Sequence, residues 1–359
     1  MKLFECQHCG QMLYFENTEC ERCGRLLGFL PEEMQLSALS PERENFRPMT
    51  GPHREMRYCA NAAHDACNWM VPADAANPYC VACRLNRTVP DLGNAASVLL
   101  WRRIETAKHR LVYGLLRLGL PVTSRFDDRE RGIAFDFLSG SSAPGAGDGS
   151  VTTGHRSGVI TIDVAEADDA VRARNRRDMA EPYRTLLGHF RHEIGHYYWD
   201  LLVRDTVWHA SFREMFGDER QDYSEALSSY YANGAPAGWQ ASFVSAYATA
   251  HAWEDFAETW AHYLHIADTL ETAGALGLRT RPQVSEGKET DFRACDPGDF
   301  DALMGGWIPL TVAVNNLNQS MGQDDLYPFV LSPTVMGKIR FVHGLVQGAN
   351  KTAGGAPAR

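Results

Sequence analysis

Arg191-His192-Glu193-Ile194-Gly195-His196 is the stretch whose reading decides the rest, and it sits in a helical pattern running from about Glu181 to Arg204. The six residues contain H-E-x-x-H. Residues four apart on an α-helix share a face. His192 and His196 can therefore reach one metal ion together, with Glu193 beside them. A Zn²⁺ held this way keeps open positions for water and for a substrate carbonyl, and the neighbouring carboxylate can take a proton from that water. Pro182 suits the first turn of such a helix. Leu186, Leu187, Phe190, Ile194, Tyr197, Tyr198 and Leu201 supply its packing faces, and Gly195 marks a close approach to another element. His189, three residues before His192, reads as a packing or supporting residue, with a ligand role as the alternative. Five matching positions are a short signal, so the reading needs a third ligand from elsewhere.

At 359 residues the chain has room for two or three domains. A hydrophobic content of 44% and a charged content of 22% are those of a soluble globular protein. No apolar run approaches the roughly 18 residues that span a bilayer, so no membrane partner is expected. Met1-Lys2-Leu3-Phe4-Glu5-Cys6 lacks the apolar core of a signal peptide, and the cytoplasm is the expected compartment. A net charge of −10 argues against general nucleic-acid binding. Of the nine cysteines, eight lie before residue 84 and Cys295 stands alone. In a reducing compartment metal binding is the better reading of the eight.

Cys6-x-x-Cys9-Gly10 and Cys20-x-x-Cys23-Gly24 are two thiolate turns. Each glycine lets the backbone turn under a metal, and two such turns make a closed Cys₄ site, a zinc ribbon over 1–30. Residues 31–57, with Pro31, Pro41, Pro48 and Pro52, read as a linker. Cys59, Cys67, Cys80 and Cys83 form a second Cys₄ module over 58–92, with His64 able to substitute for Cys59 or Cys67. Metal binding would supply the folding free energy that such small cores lack.

Residues 93–347 then carry one large domain. A helix is expected over Asn94–Leu120 and a strand over Gly132–Leu138, followed by a Gly/Ser/Pro-rich loop to Ser150. Val151–His155 and Gly158–Val164 read as a hairpin, with Val159–Val164 able to receive an extended substrate by strand pairing. An exposed charged helix follows over Ala165–Ala180. Helices are expected within Asp205–Gln240, over Leu303–Met321 and over Pro333–Gln347. Residues 275–297 read as polar loop, and 348–359 as a disordered tail.

A metzincin would place glycine and a third histidine where this chain has Trp199 and Leu202. A His₂Glu site instead takes a glutamate from a second helix. Ala252-Trp253-Glu254-Asp255-Phe256-Ala257-Glu258-Thr259-Trp260 supplies two, four residues apart. Glu254 is assigned to the metal. Glu258 is assigned to the free N–H of a ligand histidine, fixing its tautomer; the reverse assignment is the main competitor. His251, His262 and His265 are further candidate ligands.

On these segments, with Met321–Ser332 (MGQDDLYPFVLS), the chain resembles the bacterial zinc-binding metallopeptidases that carry an N-terminal zinc ribbon, a zincin-like group of gluzincin type (HExxH…E). The resemblance implies an α+β protein: a mainly α-helical zincin-like domain with a small β element, behind the ribbon modules. With the two cysteine groups this makes one catalytic and two structural Zn²⁺. The resemblance names no particular substrate, and hydrolysis of a peptide or protein is expected by analogy, with a non-peptide amide as a further alternative. More distantly, Glu254-x-Phe256-Ala257-Glu258 is similar to a segment of the lethal-factor type of His₂Glu protease. That likeness implies an oxyanion donor seven residues upstream, here Tyr247, with His251 as the alternative. The competing reading is a zinc-ribbon module that binds protein or nucleic acid, its metal domain structural and closed by a fourth ligand such as His189.

Overall fold

The structure is a computed structural model that describes residues 2–139, 153–178, 185–283, 289–295 and 298–353. Pro182, Val151, Thr152 and most of the loop expected up to Ser150 lie outside the described residues. The chain divides into two compact units. One holds the residues up to Asp178 with Thr185–Phe190, and the other runs from Arg191 onward.

In the first unit, β1 (Phe4–Glu5) and β2 (Met12–Leu13) form a short hairpin. β3 (Leu27–Leu30), β4 (Gln35–Glu42), β5 (Asn45–Pro48), β6 (Met56–Tyr58) and β7 (Met70–Pro72) form an antiparallel sheet in that order. Residues 31–57 are therefore not a linker but the middle of this sheet. The Met49 N–H donates to the Ala38 carbonyl, and the register pairs Leu39 with Pro48 and Pro41 with Phe46. Both prolines thus fall between hydrogen-bonded pairs, where a missing N–H costs the β4–β5 ladder nothing. Leu30, Leu39, Met56 and Met70 close over one another on this sheet.

β8 (Asn86–Thr88) leads to α1 (Ala95–Arg117), whose first amides are capped by the Asn94 side chain. β9 (Ala134–Leu138), β10 (Gly154–Arg156) and β11 (Val159–Asp163) complete a second sheet in the order β10-β11-β9-β8. β11 pairs antiparallel with β10 and parallel with β9. The expectation that this strand receives substrate is corrected: both of its edges are occupied. α2 (Asp169–Asp178) follows. Within this unit α1 shares a core with the cysteine modules. Phe15, Phe29 and Trp69 meet ring to ring, and Tyr113 of α1 packs edge-on to Phe15.

α3 (Leu186–Leu202) gives its first residues to the first unit and continues into the second. There follow α4 (His209–Phe216), α5 (Tyr223–Asn233), α6 (Ala252–Ala275), α7 (Phe300–Ser320) and α8 (Pro333–Ala353). α6 is buried along most of its length. Lys338 of α8, itself buried, pairs with Asp255 of α6 at 2.5 Å and donates to the Ser242 carbonyl at 2.7 Å. A buried lysine is stable only with such partners. Two expectations change here. Residues 275–297 are not wholly loop, since β12 (Arg279–Thr280) pairs with β13 (Thr290–Asp291). The tail does not begin at Gly348, because α8 continues to Ala353; residues 354–359 lie outside the described residues. Among the described residues no helix is long and apolar enough to cross a membrane.

Candidate metal centres

In the first unit the four ribbon cysteines converge. Cys6 and Cys23 Sγ lie 3.8 Å apart, and Cys9 and Cys20 Sγ 3.6 Å apart. The glycines after each pair have φ of +71° and +67°, and their N–H groups fold back to the Cys6 and Cys20 carbonyls. Only glycine takes that conformation without strain. A tetrahedral ion with bonds of about 2.3 Å to sulfur sets its ligands about 3.8 Å apart, so the group has the size of a Zn²⁺ site.

Cys59, Cys67, Cys80 and Cys83 also converge, with Cys67 and Cys80 Sγ 3.8 Å apart. The wide Cys59–Cys67 spacing is taken up by a 3₁₀ turn over Ala60–His64. His64 packs edge-on to Trp101 rather than joining the sulfurs. The histidine that does join them is His109 of α1. Its Nε2 lies 3.3 Å from Cys67 Sγ and 3.6 Å from Cys83 Sγ, and its Nδ1 bonds the Glu105 carbonyl at 2.6 Å. Lys108, fully buried, pairs with Glu105 at 2.8 Å. Burial disfavours the charge on Lys108, but the negative charges of the Glu105 carboxylate and the Cys83 thiolate outweigh it and raise its pKa.

In the second unit, α3 and α6 cross tightly. A Cβ added at Gly195 would sit 3.0 Å from the Ala257 Cα and 3.1 Å from the Trp260 Cβ. The absent side chain lets the helices close, as the sequence suggested, and this brings Glu254 to the histidines. His192 Nε2 is 3.2 Å from His196 Nε2 and 3.0 Å from Glu254 Oε2. His196 Nε2 is 3.4 Å from Glu254 Oε1. A tetrahedral ion with bonds of about 2.05 Å places such atoms about 3.3 Å apart. Glu254 Oε2, buried, has no donor directed at it in hydrogen-bonding geometry. Two imidazole nitrogens and a carboxylate thus converge within the span of one small cation, a donor set that suits Zn²⁺.

Glu258 faces the other side of His192. Its Oε1 takes Nδ1 at 2.6 Å, and its Oε2 accepts from the Ser245 hydroxyl at 2.6 Å. This fixes Nδ1 as the protonated nitrogen and leaves Nε2 for the shared centre. The three carboxylates differ. Burial works against ionisation of Glu254, yet His196 and His192 hold its pKa well below the usual range. Burial is likewise outweighed at Glu258, chiefly by His192. At Glu193 burial prevails over the two histidines and the pKa rises. Two groups are kept anionic and the third is moved toward the range where a carboxyl can carry protons.

The Tyr247 ring lies tilted beside His192 with centroids 5.8 Å apart, and burial holds its hydroxyl protonated. His251 caps α6: its Nδ1 accepts the Trp253 N–H at 3.1 Å and its Nε2 reaches the Gln221 carbonyl at 3.2 Å. His262 bonds the Tyr327 hydroxyl at 2.6 Å, and burial lowers its pKa to about 4. His265 takes Arg191, which also pairs with Asp268. His189 lies 3.6 Å from Glu166. Sequence reasoning missed Tyr223, whose hydroxyl donates to Glu254 Oε1 at 2.8 Å, and Ser245. Neither sits at a motif spacing that would have marked it.

The second unit thus presents a two-histidine, one-carboxylate centre on crossed helices, in a chain that also bears two four-cysteine groups. Residues 97–345 match the family described as "Putative zinc-binding metallo-peptidase", and residues 3–94 match a zinc-ribbon domain. The chain belongs to that metallo-peptidase family. It is similar to uncharacterized proteins of Mycobacterium tuberculosis and Mycobacterium bovis, 45% identical over 347 residues that cover 96% of this chain and 95% of theirs. No solved structure matches the chain.

Proposed function

We propose that this protein is a zinc-dependent peptidase of gluzincin type that hydrolyses peptide bonds in a peptide or protein substrate. The observation that carries the reading is the convergence of His192, His196 and Glu254 at 3.0–3.4 Å, with Glu193 buried beside the two histidines. His192, His196 and Glu254 would hold the catalytic ion, and the two cysteine groups would hold structural ones. Bound there, Zn²⁺ supplies a Lewis acid for the scissile carbonyl and makes a water more acidic. Glu193 takes the proton of the attacking water and passes it to the leaving amine. Glu258, braced by Ser245, keeps His192 in one tautomer and orientation. Tyr247, protonated and beside His192, donates to the oxyanion as it forms. Among the described residues, the group that can close on one ion here has three members, which supports an open site rather than a closed structural one. The cysteine groups suit a reducing compartment, and the cytoplasm is the proposed place of action.

The test is Glu193→Gln on a peptide library. Purified protein should carry three zinc ions per chain by the residues present, and the variant should keep all three. Its turnover should fall by about 10²–10⁴, the usual range for losing a general base. Unchanged turnover would remove the general-base role, and an empty His₂Glu site in the purified protein would remove the enzyme reading.

A further inference from the structure

The proposed ligand Glu254 is almost wholly enclosed, at 1% exposure. Its two oxygens have different surroundings. Oε2 faces His192 Nε2 at 3.0 Å, whereas Oε1, 3.4 Å from His196 Nε2, takes the Tyr223 hydroxyl at 2.8 Å. A carboxylate beside a cation can bind it through one oxygen or both, and a hydrogen bond on one oxygen favours the first mode. A second bound oxygen would occupy a position that catalysis needs open.

Tyr223 is an unusual residue to find there. It opens α5, a helix with no buried residue among its eleven. What holds its start in place is His251. That one imidazole caps α6 through Nδ1 and ties the Gln221 carbonyl, two residues before Tyr223, through Nε2. The Tyr223 ring then lies edge-on to His251 and Trp253, with centroids 5.4 and 6.0 Å away. Asp222 caps α5 by accepting the Glu225 N–H at 2.8 Å. The first turns of α5 and α6 are thus joined at one histidine, and the join aims the tyrosine at the ligand carboxylate.

We propose that Tyr223 is a positioning residue that holds Glu254 as a one-oxygen ligand and so keeps a coordination position of the catalytic ion open. The inference rests on the peptidase reading above and adds a role that Tyr247 does not share. The test uses full-length protein, treated with a mild chelator to empty the His₂Glu site and given one equivalent of cobalt(II). Tyr223→Phe should still bind the cobalt, with a weaker visible absorption as the site gains a ligand oxygen. On peptide its kcat should fall by about 10–100-fold, the range seen when a ligand's supporting bond is lost, with KM changed far less. Tyr247→Phe should leave the cobalt spectrum as in wild type. His251→Asn keeps an acceptor suited to capping α6 but cannot reach Gln221, and should move the spectrum in the same direction as Tyr223→Phe. That second variant carries the test if the first folds poorly. Cobalt binding by wild type with both variants spectroscopically unchanged overturns this inference alone. No binding by wild type overturns it together with the peptidase reading.

Discussion

Glu258 accepts a hydrogen bond from Nδ1 of His192 at 2.6 Å while its other oxygen holds the Ser245 hydroxyl at 2.6 Å. The two glutamates of α6 therefore divide the histidine between them, Glu254 at Nε2 and Glu258 at Nδ1. The division predicts different failures. Glu254→Gln should lose the proposed catalytic zinc ion, since an amide oxygen is a poor substitute for a buried anionic ligand. Glu258→Gln should keep it but bind it about 10–100-fold more weakly, the usual effect of losing a ligand's hydrogen-bond partner. Competition with a graded series of chelators measures both. Equal retention by the two variants would show that the roles are not divided.

Gly195 is the point at which α3 and α6 touch. Gly195→Ala places a methyl group 3.0 Å from the Ala257 Cα, a backbone atom that cannot swing aside. Overpacking of this kind costs about 1–3 kcal/mol. The helices should also part by a few tenths of an ångström, so metal affinity should fall with the melting temperature. A variant as stable as wild type, with the same zinc retention, would mean that the crossing has slack which the distances do not suggest.

Much of this arrangement is legible in the sequence. His192, Glu193 and His196 lie within one turn of one helix, so spacing alone defines their shared face. Glu254 and Glu258 carry the same four-residue signal on α6. The long helix α1 announces itself through apolar periodicity, while α6 and α8 are expected over only part of their length, Ala252–His265 and Pro333–Gln347. What stayed hidden depends on tertiary contacts. Tyr223 meets Glu254 across 31 residues of chain, and His109 meets Cys67 across 42. No local pattern encodes either meeting. The five-stranded sheet was missed for a different reason: Pro41 and Pro48 look like linker residues unless the pairing register is known. The role given to β11 failed likewise, because an open strand and a central one have the same alternation.

His109 gives the second cysteine group a partner from α1. With Nδ1 on the Glu105 carbonyl and Nε2 beside two sulfurs, it links the group to the helix that carries Lys108 and Tyr113. His109→Ala should weaken zinc at Cys59, Cys67, Cys80 and Cys83 by about 10–100-fold and leave the Cys6–Cys23 group unaffected. Zinc release followed with a colorimetric chelator should change from one late phase for the two cysteine groups to two separate ones. Simultaneous release from both groups in the variant would show that His109 only fills space.

Glu219 offers a pH test away from any proposed ligand. Its carboxylate accepts from Arg213, and from His209 Nε2 at 3.0 Å, and its side chain is 10% exposed. The Arg213 hydrogen bonds, partly opposed by burial, lower its pKa from 4.5 to about 2. A carboxyl whose folded pKa is depressed adds stability that is complete above its unfolded pKa and fades as pH falls toward the folded value. Glu219→Gln should therefore melt below wild type at every pH above about 4.5, the unfolded carboxyl's range. The gap should narrow steadily at lower pH and vanish only below about pH 2, once the wild-type carboxyl is itself neutral. Melting temperatures of both proteins across that range decide the matter. A gap that keeps its size from pH 7 to pH 3 would assign the effect of the substitution to packing rather than to the charge of Glu219.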